Sequence, residues 1–206
     1  MDPAEGEHHG SPSTSIARRV SALVARLETA GITSEAELGD VLERFLAATG
    51  PAMGAKLIAR AWADPVFKAQ LLEAADAALA RLGLDMSHWA AVRLQAVENT
   101  ANVHNVIVCT LCSCYPIALL GPSPTWYKSE AYRSRVVREP RAVLAEFGVV
   151  LEDGVEIRVW DSTAELRYIV VPKRPGGTDD WNEQELASLV TRDALIGVAI
   201  PSRPLL

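Results

Sequence analysis

All three cysteines of this 206-residue chain fall within six residues, Cys109-Thr110-Leu111-Cys112-Ser113-Cys114. A disulfide framework spreads its cysteines to close long loops, which this cluster cannot do. The chain must therefore hold itself together by burying apolar surface. Its 49% hydrophobic and 22% charged residues allow a packed core and argue against global disorder. The clustering itself points to a metal or to redox chemistry.

The length fits one sizeable domain, or one domain with an appendage. A formal net charge of -6 argues against a nucleic-acid protein, which would carry a basic face. No apolar run approaches the roughly 18 to 20 residues needed to span a bilayer. The polar stretch Met1 to Ser15 holds no apolar signal core, so a cytoplasmic protein with no membrane partner is expected.

Residues 1–14 read as a disordered leader, in which His8 and His9 are solvated tail rather than metal ligands. Ile16, Val20, Leu23, Val24 and Leu27 then recur on one helical face, and Gly31 stops that helix. Ser34 and Glu37 form a capping box before Leu38, Val41, Leu42, Phe45 and Leu46, and Gly50-Pro51 ends the second helix. A third helix is expected from about Met53 to Ala63. Asp64-Pro65 caps a fourth, which carries Leu71, Leu72, Ala75, Leu79 and Leu82 and ends at Gly83.

The pattern changes near residue 95. Val103 to Val108 reads as a strand leading into the cysteines. Val155, Ile157 and Val159 alternate with polar residues and Trp160, which gives a half-buried strand. Leu166 to Val171 is another, and the turn Asp161-Ser162-Thr163-Ala164 suggests that the two form a hairpin. Pro140 to Phe147 is a short helix closed by Gly148, and Trp181 to about Arg192 is a further helix. The expected class is α+β. A helical arm covers 15–90, and a metal-binding α+β globular part covers 91–206.

The spacing C-x-x-C-x-C has its own chemistry. If Cys112 and Cys114 both bind a metal as thiolates, the amide nitrogens of Ser113 and Cys114 lie between them. Deprotonated, these amides complete one six-membered and two five-membered chelate rings, all unstrained. Cys109 can reach one axial position and the other stays open, the mark of a catalytic metal. Amide and thiolate donors suit a small trivalent ion, cobalt or iron, acting as a Lewis acid. Two alternatives stay open from spacing alone. One is structural zinc, for which His104 is the only nearby fourth ligand. The other is a thiol–disulfide pair of Cys109 with Cys112.

The segment Val108-Cys109-Thr110-Leu111-Cys112-Ser113-Cys114-Tyr115-Pro116 resembles the metal-binding motif of nitrile hydratase α subunits. Glu98-Asn99-Thr100, Trp126-Tyr127-Lys128, Tyr132 to Val137, Glu156 to Asp161 and Ile196 to Ala199 also look like family segments, and Gly54-Ala55-Lys56 and Ala61 to Pro65 match more loosely. The resemblance covers roughly residues 16–200. It implies a helical arm plus a small layered α/β part, and a heterodimer with a β subunit of one or two chains. Thr110 goes with the cobalt type, here Co(III), and a serine there with the iron type. The implied ligands are Cys109, Cys112, Cys114 and the nitrogens of Ser113 and Cys114. Cys112 would be oxidised to sulfinic acid and Cys114 to sulfenic acid. The implied reaction hydrates a small-molecule nitrile to its amide, with Cys112, Ser113 and Cys114 as the reacting centre and an activator chaperone loading cobalt.

Asp161, Glu165 and Arg167 match family positions in an outer network around the metal. Arg133 and Arg135 are candidates to brace the oxidised cysteines or the β subunit. Tyr115 and Trp126 are candidates to shape the substrate pocket. The chain also departs from the family. A tryptophan that lines the family's pocket is replaced by Ile117, which widens the pocket and suggests a bulky or heteroaromatic nitrile. A glutamine eight residues before Glu98 is replaced by Ala90, which puts its hydrogen bond in doubt. Rival readings are the cobalt-bearing subunit of thiocyanate hydrolase, which shares the motif, a non-catalytic zinc module and a redox-sensing subunit.

Overall fold

The computed structural model describes residues 12–48, 50–83, 92–112 and 114–204. The leader, through residue 11, and with it His8, His9, Ala90 and Ser113, lie outside the described residues. The described residues fall into two compact units, divided after Ala48. Among the described residues no helix is long and apolar enough to cross a membrane.

The first unit is a pair of helices, α1 (Pro12–Thr29) and α2 (Glu35–Ala48). Gly31, at φ 66°, closes α1, with its N–H on the Glu28 carbonyl and that of Ile32 on the Leu27 carbonyl. This is the doubled bond pattern that satisfies the last carbonyls of a helix. The Ser34–Glu37 box forms in both directions, Ser34 N to Glu37 Oε2 at 2.8 Å and Glu37 N to Ser34 Oγ at 3.1 Å. The expected apolar faces form too, but they stay open: Ile16, Val20 and Leu23 on α1 and Val41 and Leu42 on α2 are all more than half exposed.

The second unit is built around α3 (Pro51–Ala63), which buries Leu57, Ile58, Ala59, Ala61 and Trp62. It packs against α6 (Ile117–Leu120), α9 (Glu183–Ser188) and α10 (Arg192–Ile196). A Cβ at Gly54 would lie 2.6 Å from Leu195 and 2.9 Å from the Leu119 carbonyl, so only glycine admits this approach. Asp64 caps α4 (Pro65–Glu73) through the N–H groups of Val66 and Phe67, as its Asp-Pro signature requires. The expected single helix to Leu82 is instead broken at Ala74, whose backbone leaves the helical region (φ -147°, ψ 77°), and resumes as α5 (Ala75–Arg81). The break lets Asp76 accept the Leu94 N–H at 3.0 Å, which covers a donor at a strand edge. The helix expected from Trp181 to about Arg192 is shorter, since α9 ends at Ser188, and Thr191 caps Ala194 to start α10 afresh.

Among the described residues four strands make two parallel pairs. β1 (Arg93–Glu98) lies beside β4 (Leu166–Val171), and β2 (Val103–Val108) beside β3 (Glu156–Asp161). The expected β3–β4 hairpin is therefore wrong. Each strand spends its ladder on a partner far along the chain, and the turn 162–165 carries the chain from one pair to the other. Periodicity shows which face of a strand is buried and not which neighbour it pairs with. Between β2 and β3 stand α7 (Glu130–Arg135) and α8 (Pro140–Glu146), the latter closed by Gly148. Arg141 of α8 donates to the carbonyls of Leu151, Glu152 and Val155 and so ties down the approach to β3.

A polar network is buried beside β2. Nε2 of His104 lies 2.7 Å from the Gly197 carbonyl, which can only accept, so Nε2 carries the proton and Nδ1 accepts from Asn99. Asn99 Oδ1 accepts from the Asn105 N–H, and Trp160 Nε1 donates to Asn105 Oδ1. Gly197, at φ 93°, sits so close that a Cβ would lie 2.0 Å from the Asn105 carbonyl. Gly197→Ala should destabilise the chain by about 3 kcal/mol or more in urea unfolding, through strain and displacement of β2 together. Burial lowers the pKa of His104 against the opposing pull of the Gly197 carbonyl. The imidazole is thus neutral in the fold and its stabilisation is complete above the ordinary value of 6.5. As pH falls below that value the unfolded chain takes up a proton first, so stability should drop until the lowered folded pKa is passed. His104→Gln should flatten this part of the acid limb in melts across pH.

Candidate metal centre

The cysteine loop starts where the β2–β3 pairing ends. Val108 stands opposite Asp161, and Ser162 N–H adds one more bond to the Val108 carbonyl at 2.7 Å. Cys109 is thereby held in the core, 1% exposed. The chain then turns away from the sheet, and Asp161 captures the turn: one carboxylate oxygen accepts from Thr110 N at 2.9 Å and the other from Thr110 Oγ1 at 2.5 Å. Cys112 N–H points back at Cys109 Sγ, 3.3 Å away.

This turn brings the sulfurs together. Cys109 Sγ lies 3.5 Å from Cys112 Sγ, and Cys112 Sγ lies 3.3 Å from Cys114 Sγ. All three fall within 4.8 Å of one another. Two sulfurs about 2.3 Å from one ion would be about 3.3 Å apart at a right angle and about 3.8 Å apart at a tetrahedral angle. The Cys112–Cys114 pair matches the right-angle value, and the Cys109–Cys112 pair lies between the two values. His104 does not join the cluster, since both of its ring nitrogens are engaged by Asn99 and Gly197. No helix opens at Cys109, so the helix N-terminus that activates a thiol redox pair is missing there. Cys109 is buried, Cys112 exposed and Cys114 half-buried, so the cluster is open on one side.

The loop is also held through its carbonyls. Tyr132 OH donates to Ile107 O at 2.6 Å and Tyr127 OH to Cys114 O at 2.9 Å. Arg133 Nη1 reaches the carbonyls of Thr110 and Cys112, each at 3.4 Å. Burial raises the pKa values of Tyr115, Tyr127 and Tyr132, so these phenols stay protonated and remain donors. The Cys114 thiol is pushed up to about 12 by burial, then by its hydrogen bond with Cys112, while the Arg167 charge pulls it down. A bound cation would reverse this balance, because a coordinated thiol gives up its proton.

The other expected residues separate into groups. Arg167 lies within electrostatic reach of Cys114 and is anchored on the Thr163 carbonyl. Glu165 is exposed and meets its neighbours by backbone, donating to Thr163 Oγ1 and accepting from Arg93 N. Tyr115 is buried, with its hydroxyl shielded from solvent and unpartnered, and its ring meets Tyr127 edge-on at 5.1 Å. Trp126 is partly buried in an aromatic cluster with Tyr132 at 4.9 Å and Phe147 at 4.8 Å. Ile117 opens α6, half-buried. Arg135 is committed to Glu139 and Glu146 and does not brace the cysteines. Tyr127 and Tyr132 were missed by sequence reasoning. Their only signal was that each stood in a segment resembling the family. A cavity of about 640 Å³ lined by Leu57, Arg60, Phe67 and Glu183 involves none of these residues.

The family model for the nitrile hydratase alpha chain matches residues 14–199. The chain belongs to this family. The low-molecular weight cobalt-containing nitrile hydratase subunit alpha of Rhodococcus rhodochrous is 50% identical over 189 residues, 92% of this chain and 90% of that one. The structure of an Fe-type nitrile hydratase from Comamonas testosteroni Ni1 superposes with a TM-score of 0.87 at 43% identity, covering 94% of each chain. The thiocyanate hydrolase subunit gamma of Thiobacillus thioparus is 44% identical over 173 residues, 78% of this chain and 70% of that one. The mixed helix and strand architecture expected from the sequence agrees with these relatives, while the strand pairing had to come from the structure.

Asp161 holds the loop without touching a sulfur. Asp161→Ala should weaken metal retention about tenfold to hundredfold, as removal of outer partners does elsewhere. Competition with a chelator, followed by elemental analysis, measures this. Retention equal to that of the unaltered chain would show that Asp161 has no such role.

Proposed function

We propose that this chain is the cobalt-bearing subunit of a cytoplasmic nitrile hydratase, converting a nitrile and water to an amide. The observation that carries the reading is the convergence of three sulfurs within 4.8 Å, with Cys112 and Cys114 at 3.3 Å, on a loop whose second residue is Thr110. Bound trivalent cobalt would supply Lewis-acid polarisation of the nitrile. Thr110 and the cobalt-containing relative favour cobalt over the iron of the Comamonas structure.

The chain's own residues supply the rest. Cys109, Cys112, Cys114 and the amide nitrogens of Ser113 and Cys114 would hold the ion. Exposure sorts the sulfurs for oxidation by dioxygen: Cys112 is open, Cys114 half-open and Cys109 closed. This supports sulfinic acid at Cys112 and sulfenic acid at Cys114. The Cys114 sulfenate oxygen would act as base or nucleophile toward the nitrile carbon. As base it takes one proton from the attacking water and returns it to the nitrile nitrogen; the imidic acid so formed moves its remaining hydroxyl proton to nitrogen and becomes the amide, without net redox change. Asp161 and Arg133 keep the loop in shape, and Arg167 sets a positive charge near Cys114.

The open apolar faces of α1 and α2 support a β partner that covers them, with an activator chaperone loading the cobalt. Ile117 in place of a ring supports a wide pocket and a bulky or heteroaromatic nitrile. The thiocyanate hydrolase relative supports a second reading, in which thiocyanate is the substrate.

In complex with its partner and cobalt, the peptide spanning residues 109–114 should weigh about 48 Da more than its sequence mass, from three added oxygens. An unmodified peptide from an active complex would refute the oxidised site. The complex should turn over a heteroaromatic nitrile faster than a small aliphatic one. A strong preference for the small one would refute the wide pocket, and hydrolysis of thiocyanate in preference to either nitrile would establish the second reading.

A further inference from the structure

Arg133 combines two features that none of the other groups around the loop shares. Its Nη1 faces the carbonyls of Thr110 and Cys112, each at 3.4 Å, and its Nε is shielded from solvent without a partner. The Cys112 carbonyl is not an arbitrary oxygen. It belongs to the peptide unit whose nitrogen is that of Ser113, one of the two amides required as anionic donors. The negative charge of such a donor is shared with its carbonyl oxygen. A guanidinium at that oxygen therefore meets the charge where it accumulates, and a hydrogen bond to an ionised acceptor is about twice as strong as a neutral one. The same nitrogen faces the Thr110 carbonyl, so the peptide that enters Leu111 and the peptide that leaves Cys112 are held by one group.

We infer that Arg133 is a positioning residue for the metal centre: it orients the Cys112–Ser113 peptide and balances the charge of the Ser113 nitrogen as a ligand. The inference rests on the cobalt reading above. No bond is made or broken by Arg133, which keeps its proton throughout. Arg167, by contrast, acts toward the Cys114 sulfur, and the partner's contribution is not needed for either contact. Tyr127 provides an internal comparison. It donates to the Cys114 carbonyl, whose peptide nitrogen is that of Tyr115 and is not a donor to the metal.

The test uses the complete complex made in cobalt medium, with the wild-type chain and the variants Arg133→Gln, Arg133→Lys and Tyr127→Phe. Cobalt content, the sulfur-to-cobalt charge-transfer absorption and electron paramagnetic resonance are read together with thermal melting. Losing a charged hydrogen bond should lower retained cobalt about tenfold to hundredfold in Arg133→Gln under chelator competition. Its residual cobalt should show a shifted absorption or a paramagnetic divalent signal. Arg133→Lys should recover most of the wild-type spectrum, and Tyr127→Phe should keep the absorption position even if it melts lower. A wild-type spectrum and cobalt content in Arg133→Gln overturn the inference. Equal spectral shifts in Arg133→Gln and Tyr127→Phe, with no rescue by lysine, also overturn it, since they would mark Arg133 as only a brace. A wild-type complex without the charge-transfer band overturns the cobalt reading itself, and the inference with it.

Discussion

The centre depends on the register of β2 against β3. Val108 and Asp161 are the last residues of their strands and stand side by side. That pairing delivers Cys109 from the sheet into the core and places the Asp161 carboxylate on both donors of Thr110. A slip of one residue would turn the inward face of β3 outward and take Asp161 about 3.3 Å from the turn it holds. The buried side chains of Val106 and Val108 and the half-buried Ile157 and Val159 oppose such a slip.

From that anchor the loop is built by hydrogen bonds to its backbone. Tyr132, Arg133 and Tyr127 take the carbonyls of Ile107, Thr110, Cys112 and Cys114 in turn. On this backbone the three sulfurs converge to within 4.8 Å of one another. The phenols come from a cluster of rings that includes Trp126 and Phe147, so the donors sit on a packed, rigid base. Burial keeps them protonated, which is what a carbonyl partner requires.

The other face of β2 is fixed by a different kind of contact. His104, Asn99, Asn105 and Trp160 form a buried network that reaches the Gly197 carbonyl, so the end of α10 is tied to the strand that feeds the cysteines. Partly satisfied, such a network would cost more than an apolar core. Here the His104 tautomer, the Asn99 amide and the absence of a side chain at Gly197 all have to agree.

Features written in neighbouring residues were legible in the sequence: the Ser34–Glu37 box, the Asp64-Pro65 start, the Gly148 stop and the strand Val103–Val108. The break at Ala74, the restart at Thr191 and the parallel pairing of β3 and β4 with distant strands were not, because packing and edge satisfaction decided them. The metal centre divides in the same way. The candidate donors lie within six residues, so their spacing by itself allows unstrained chelate rings, with structural zinc and a thiol–disulfide pair as the other readings of that spacing. The groups that hold those donors come from β3, the 3-10 turn Trp126–Lys128 and α7. Only tertiary structure could bring them to the loop, since a hydrogen bond between distant segments leaves no local pattern in the chain.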